Sequence, residues 1–510
     1  MNVKKGIKNI IASALSQGVS LLLGIIIPRL VLVNLGSEAN GLLNTISNVL
    51  VYVALLEAGV GDASRQAMYG PVGRQNYADI NAVLAATDHF YKRTGRWYLA
   101  VILLLTFVFP LSLDSSLPRW HIMAVMFLSG MPGVMKYYYQ GKFNILLRTE
   151  GKGYILTNIS TIIHVATSLS KIVLLLAGAD IVELQIMYMC FNLLQVGALA
   201  LYIRRHYPWI DLKVKPNFGA ISQSKNALVH QVSSLIFYNT DSLLLTYFCG
   251  LKAVSVYSIY TMLFGVIISA LGYISSFEFI LGQNFHTNRK RYLKLVDTYE
   301  ILHMTLAFCL LCIANIFINP FVALYTAGVS DINYIDKYLP YLMIATYLLS
   351  NGRASSSLTI TFAGHFRQTQ NHSIYEAIIN IVVSLLGVWQ FGIYGVLLGT
   401  IAALLYRTNI MILYSNRKIL GRNPWITYRR WLLNLVLFVV VTVAGKWFFS
   451  FIALDSYFRI IGWAVATCIV VIPFFFGVVS LCEREVFRFA WELMKPYLLK
   501  VKEKFGRKPA

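Results

Sequence analysis

The sequence predicts an all-α polytopic membrane protein with about fourteen transmembrane helices, arranged as two six-helix halves and a C-terminal pair. Three observations predict it: apolar runs of bilayer-crossing length, basic residues confined to alternate loops, and a repeat at an offset of about 213 residues. With 57% hydrophobic and 13% charged residues and a mean hydropathy of +0.63, the chain is too apolar for an ordinary soluble domain.

Windows of about 19 residues mark the runs, each long enough at 1.5 Å per residue to cross a hydrocarbon core of roughly 30 Å. They fall at 8–33, 40–61, 97–113, 119–140, 154–177, 181–203, 226–249, 253–281, 299–325, 336–363, 372–391, 393–415, 427–452 and 457–481. The first run follows a short basic start, Met1 to Lys8, and is too long for a signal-peptide core, so the first span is expected to be retained.

The chain holds 44 Lys and Arg against 22 Asp and Glu, a formal net charge of +22. These cations sit in short loops rather than on a soluble face, which argues against nucleic acid and for topology signals that also favour anionic lipid headgroups. One set of loops holds Arg65, Arg93, Arg148, Lys213, Arg289 and Arg417 among many others. The opposite set holds only Arg119, Lys252, Lys337 and Arg459. The positive-inside rule then places both termini on the cytoplasmic side of the cell membrane. Two further segments, Tyr77 to Lys92 (stripe Ile80, Val83, Leu84, Thr87, Tyr91) and the tail after Cys482 (stripe Val486, Ala490, Leu493, Tyr497, Val501), read as amphipathic helices on the membrane surface.

The repeat places Gly36 on Gly250, Gly151 on Gly364, Asn158 on Asn371, and Arg204-Arg205 on Arg417-Lys418. An even number of spans separates each pair, so the halves run in the same direction, the parallel kind of transporter repeat. The expected organisation is an N-lobe at 1–220, a C-lobe at 221–420, spans thirteen and fourteen at 421–482, and a basic cytoplasmic tail at 483–510. Gly395-Val-Leu-Leu-Gly399 adds a G-x-x-x-G motif for close helix approach.

Nothing in the sequence carries covalent or nucleotide chemistry: there is no phosphate-cradling G-x-x-x-x-G-K-[ST] loop, no histidine cluster with metal spacing and no nucleophile elbow. No cofactor is expected, and Cys309-Leu-Leu-Cys312, inside a span with no second pair, reads as packing. The short outward loops argue against an enzyme that polymerises or ligates glycans outside the cell. The expectation is transport driven by a gradient.

Ionisable groups inside spans are costly and therefore informative. Arg29 and Lys171 lie in the outward third of spans one and five, Asp241 near the middle of span seven, and Arg353 and Arg407 deep in spans ten and twelve. Snorkelling accounts for Lys136, Glu278, Glu376 and Lys446. Arg353 reads as lining a polar cavity in preference to forming a purely structural ion pair, whereas Arg29 and Lys171 fit a cavity or a structural role equally. Cations in both halves with few intramembrane acids point to an anionic substrate, since Arg offers planar bidentate donors to phosphate. Asp241 has two readings, structural partner to a cation or coupling site for a proton or sodium ion. The neutral polar groups His230, Gln231, Ser233, Ser234, Tyr238, Asn239 and Thr240 would turn its helix toward a cavity.

Pro28-Arg29, Leu35-Gly36, Gly41-Leu42 and Leu56-Glu-Ala-Gly59-Val-Gly61-Asp-Ala63, followed by Asp241-Ser-Leu-Leu-Leu, Gly250, Val256-Tyr257-Ser258, Asn371, Glu376, Asn380, Gly392, Gly395, Gly399-Thr400 and Arg407, carry a resemblance across essentially the whole chain. The sequence resembles the polysaccharide transporters of the MOP exporter superfamily, the Wzx-type flippases. The resemblance implies a V-shaped pair of lobes around a central cavity and transfer of an undecaprenyl-pyrophosphate-linked oligosaccharide to the outer leaflet for capsule, exopolysaccharide or related envelope glycans. It implies that Arg29, Lys171, Arg353 and Arg407 hold the pyrophosphate, with membrane lipids, a glycan polymerase and glycosyltransferases as partners. A peptidoglycan-precursor flippase and a cation-coupled drug exporter are the alternatives of the same fold, and a glycan polymerase or ligase the alternative of another class.

Overall fold

The computed structural model describes residues 3–57, 60–221, 225–493 and 495, and these are almost entirely helical. The helices are α1 (Val3–Val53), α2 (Val60–Gly73), α3 (Tyr77–Val108), α4 (Arg119–Met135), α5 (Gly141–Thr149), α6 (Gly153–Leu176), α7 (Ile181–His206), α8 (Lys225–Ser269), α9 (Ser276–Thr287), α10 (Arg289–Tyr325), α11 (Leu339–Gly352), α12 (Ala354–Phe362), α13 (Phe366–Phe391), α14 (Ile393–Tyr414), α15 (Trp425–Phe449) and α16 (Tyr457–Cys482). Ten of the described helices are long and apolar enough to cross a membrane.

Fourteen long segments emerge once α1 and α8 are each divided at a kink, and α11 with α12 are taken as one interrupted span. The kinks fall at Gly36 (φ 84°, ψ 177°) and Gly250 (φ 81°, ψ 171°). A side chain is strained at such a φ, so glycine turns each helix back without a separate loop. The two kinks are equivalent positions of the repeat and share one backbone geometry. Gly151 and Gly364 (φ 71° and 67°) and Gly178 and Gly392 (φ 81° and 53°) repeat the pattern at offsets of 213 and 214 residues.

Local sequence sets the helix ends. Asn76 caps α3 by accepting from Asp79 N, and Asp180 with Glu183 forms a capping box at the start of α7. Pro118 and Pro424 stand just before α4 and α15, where a missing N–H costs nothing.

By its internal contacts the chain forms two compact units. One holds the described residues of 1–262 with 328–333 and 384–396; the other holds those of 263–327, 334–383 and 397–510. In the first unit, α3 packs on α4, α4 on α7, and α1 on α6, around buried Leu84, Tyr91, Tyr98, Ile102, Leu146 and Leu147. In the second, α10 is the axis, buried along most of its length against α11, α15 and α16. Cys312 Sγ lies 3.2 Å from Thr442 Oγ1 there, and all six cysteines are free thiols, in keeping with a packing role for the Cys309/Cys312 pair.

The expected surface helices differ from what is observed. Tyr77 to Lys92 is no separate element: it continues into the third span as α3, and its apolar stripe is covered by α2, α5 and Ile221 rather than by lipid. An amphipathic stripe reports that one face is buried, without saying by what. After Cys482, Phe489 and Leu493 pack on Leu295 and Tyr299; Tyr497 and Val501 lie outside the described residues. The close approach expected around Gly395 is made with Gly387, where an added Cβ would lie 2.1 Å from backbone.

Candidate functional site

In the second unit, span ten breaks at Arg353: α11 ends at Gly352 and α12 begins at Ala354. Gly352 is pressed under the Trp431 ring, where a Cβ would meet ring atoms at 2.1 Å. From the break, Arg353 donates to Glu376 Oε1 on α13 at 2.7 Å. Arg407 on α14 approaches Glu376 Oε2 at 3.5 Å and donates to the Thr369 carbonyl at 3.2 Å. The three side chains are only 13%, 10% and 8% exposed for Arg353, Glu376 and Arg407. One carboxylate cannot neutralise two guanidiniums, so this buried triad keeps one excess positive charge.

A second charged group in the same unit has a different character. Arg422 and Arg430 share Asp297 and Glu300 of α10, and Arg430 and Arg429 also reach Glu483. Three guanidiniums and three carboxylates balance, tying α10, α15 and the end of α16 together. This cluster braces the C-terminal pair of spans and offers no net charge to a ligand.

In the first unit, Lys171 is half-buried with its ammonium 5.0 Å from the centre of the Tyr188 ring. Its charge is met by an aromatic face, and no carboxylate stands within ion-pair distance among the described residues. Arg29 is half-buried on α1 directly after Pro28, and it is engaged rather than free. Asp241, 4% exposed, accepts from the Tyr257 hydroxyl at 3.2 Å. Beside it, the Tyr52 hydroxyl pairs with Thr240 Oγ1 at 2.8 Å. Asn239 turns back to the Leu235 carbonyl; the side chains of His230, Gln231, Ser233, Ser234 and Tyr238 lie outside the described residues.

The turns of α1 and α8 close on each other within this unit. Asn40 donates to Ser255 Oγ at 2.7 Å, and the Thr45 and Thr246 hydroxyls meet at 2.8 Å. Asp331 accepts from Ser37 N and Oγ at 3.1 and 2.6 Å. Gly41 packs so tightly that a Cβ would lie 2.0 Å from the Leu251 carbonyl oxygen.

Solved structures share this fold. The lipid II flippase MurJ in an inward closed conformation superposes with a TM-score of 0.70, at 12% identity over 94% of this chain and 100% of that one. An inward-facing MATE-family multidrug resistance transporter of the MOP superfamily gives 0.63, at 13% identity over 79% and 94%. The chain has the MOP-transporter fold. A third MOP-superfamily transporter, from Pyrococcus furiosus and described for the reverse polarity of its binding pocket, gives 0.51 at 13% identity over 82% and 95%. No family model and no curated protein sequence matches the chain. The likeness is one of fold, to transporters and flippases rather than to enzymes.

On this MOP-transporter fold the expected residues divide into two groups. The structure joins Arg353 with Arg407 and places Lys171, Arg29 and Asp241 separately in the other unit. Snorkelling does not describe Glu376, the acid that joins the two arginines. Lys446 does fit a polar terminus, donating to Asn315 Oδ1 and the Tyr341 hydroxyl. The feature that sequence reading passed over is Lys136, whose signal was a polar stripe at four-residue spacing, Lys136, Gln140, Asn144 and Arg148.

Proposed function

We propose that this protein is a flippase that moves an undecaprenyl-pyrophosphate-linked oligosaccharide from the inner to the outer leaflet of the cytoplasmic membrane by alternating access, serving capsule, exopolysaccharide or related envelope glycans. The observation that carries the reading is positive charge retained inside the membrane: an excess guanidinium in the Arg353–Glu376–Arg407 triad and an ammonium at Lys171 with no carboxylate beside it among the described residues. Holding such charge in a low-dielectric region is costly and is repaid by an anion. A pyrophosphate link supplies that anion at the membrane surface while its lipid tail stays in the bilayer. Arg29, Lys171, Arg353 and Arg407 are assigned to it, and Asp241 to coupling. With both termini cytoplasmic, the closed seam between the α1 and α8 turns lies at the outer end and excludes backflow. A glycan polymerase and glycosyltransferases would act on either side of the transport step.

The structural likeness to the lipid II flippase favours one second reading, a flippase for a peptidoglycan precursor. Proteoliposomes carrying fluorescent polyprenyl-pyrophosphate-linked sugars of both kinds separate the two. Translocation of the envelope oligosaccharide lipid, lost in Arg353→Gln, is the expected result. Movement of the peptidoglycan precursor alone selects the second reading, and drug efflux with no lipid movement overturns both.

A further inference from the structure

Lys136 opens a short π-helical segment, Lys136–Gln140, between α4 and α5. Such segments interrupt the regular turn and recur at functional sites. From it the stripe Lys136, Gln140, Asn144, Arg148 runs along one side of a cavity of about 220 Å³, facing Thr157 and Ser160 of α6 and Gln195 of α7. Lys136, Ser160 and Gln195 also line a second cavity, of about 610 Å³, which continues past His164 and Tyr188 to Pro28 of α1. The two cavities thus share a wall at Lys136, and the Tyr188 ring that lines the second is the ring that Lys171 overlies. All of these residues belong to the first unit.

The charges along this path are uncompensated, whereas two lysines close by in sequence are paired. Lys142, off the stripe, is buried against Asp88, and Lys152 pairs with Glu150 at 2.7 Å. Lys136 and Arg148 are exposed and make no ion pair among the described residues, and no carboxylate lines either cavity. The side chains of Asn144 and Gln195 likewise make no hydrogen bond to the protein among the described residues, so their amides are free to bind something else.

The repeat makes the same point independently. The fourth span of each half is interrupted near a cation: at the 213-residue offset Arg353 falls on Gln140, the end of the π-helical segment that Lys136 opens about one turn earlier. Glu376, which neutralises Arg353, has Ile163 at its counterpart 213 residues earlier, and Ile163 lines the larger cavity beside Lys136. The first half has the cation without the acid.

We infer that this groove is a capture track for a phosphate-bearing anionic headgroup, with Arg148 at its mouth, Lys136 midway and Lys171 at its end. Lys136 and Arg148 lie twelve residues apart, roughly 18 Å along the helix, so one pyrophosphate engages them in turn and not together. The inference rests on the flippase reading above and adds where the headgroup first binds and in what order it meets the cations.

The test uses the purified full-length chain in nanodiscs of uncharged lipid, titrated with geranyl pyrophosphate and followed by calorimetry. Lys136→Ala is expected to weaken binding at least tenfold and Lys136→Arg to restore it, while Arg93→Ala, an exposed cation away from the groove, leaves binding unchanged. Inorganic pyrophosphate is expected to displace the probe, assigning recognition to the phosphates; failure of displacement means the isoprenyl chain is what binds and overturns the track. Unchanged affinity in both Lys136→Ala and Arg148→Ala also overturns it, and size-exclusion profiles matching the wild type exclude misfolding as the cause of any loss. If both variants still translocate lipid-linked sugar at the wild-type rate, the track falls and the flippase reading stands. If the wild type binds pyrophosphate at Lys136 but translocates no lipid, the flippase reading falls and the anion site stands.

Discussion

The interruption at Lys136 and the interruption at Arg353 occupy corresponding spans of a duplicated architecture, yet one is open and the other is sealed. Around Arg353 two neighbouring spans, α13 and α14, supply a carboxylate, a second guanidinium and the backbone carbonyl that holds it, and the group is largely buried. Around Lys136 the surrounding helices supply hydroxyls, amides and Ile163. A duplicated framework thus places a cation at an interruption of the fourth span twice, a π-helical segment in one half and a one-residue break in the other, and the difference in charge balance comes from the neighbouring spans. In one half a carboxylate holds the cation and a second guanidinium supplies the excess charge; in the other the cation meets no carboxylate among the described residues.

That comparison is broken most severely by removing the shared acid. Glu376→Gln leaves two guanidiniums facing each other without a counter-charge, and the expected loss is about 3–5 kcal/mol, read as a large fall in the thermal unfolding midpoint. Arg353→Gln keeps Glu376 paired with Arg407 and should cost less, about 1–3 kcal/mol by the same measurement. Transplanting the acid sharpens the contrast: Ile163→Glu puts a carboxylate into the cavity that Lys136 lines, and pyrophosphate affinity should fall at least tenfold, about 1.4 kcal/mol. The smallest effect is expected from Lys136→Gln, which removes no ion pair or side-chain hydrogen bond among the described residues and should change stability by less than about 0.5 kcal/mol. Equal destabilisation by Lys136→Gln and Arg353→Gln would show that the two breaks are alike after all.

Much of the fold was legible because membrane insertion writes it into one dimension. Hydropathy and the alternation of basic loops give the number of crossings, and the spacing of Gly36 with Gly250 and Gly151 with Gly364 gives the duplication, which recurs in backbone geometry. Rotation of each helix about its axis was not legible. Arg353, Glu376 and Arg407 lie on three different spans, and hydropathy does not report which faces meet, so Glu376 read as a snorkelling surface acid instead of the centre of a triad. For Lys136 a place near a membrane interface gave a sufficient explanation by itself, and the lack of a carboxylate along its groove among the described residues is visible only in three dimensions. The stripe at Tyr77 to Lys92 failed similarly, since lipid and a neighbouring helix select the same pattern.

The contact of Gly41 with Leu251 is between main chain and main chain, with no side chain standing between the α1 and α8 turns at that point. Side-chain contacts yield gradually as rotamers adjust, whereas two backbones at this spacing have no slack left to take up. The approach of these turns therefore ends at a hard stop, and its end point is fixed by steric exclusion, independent of salt, pH or cargo.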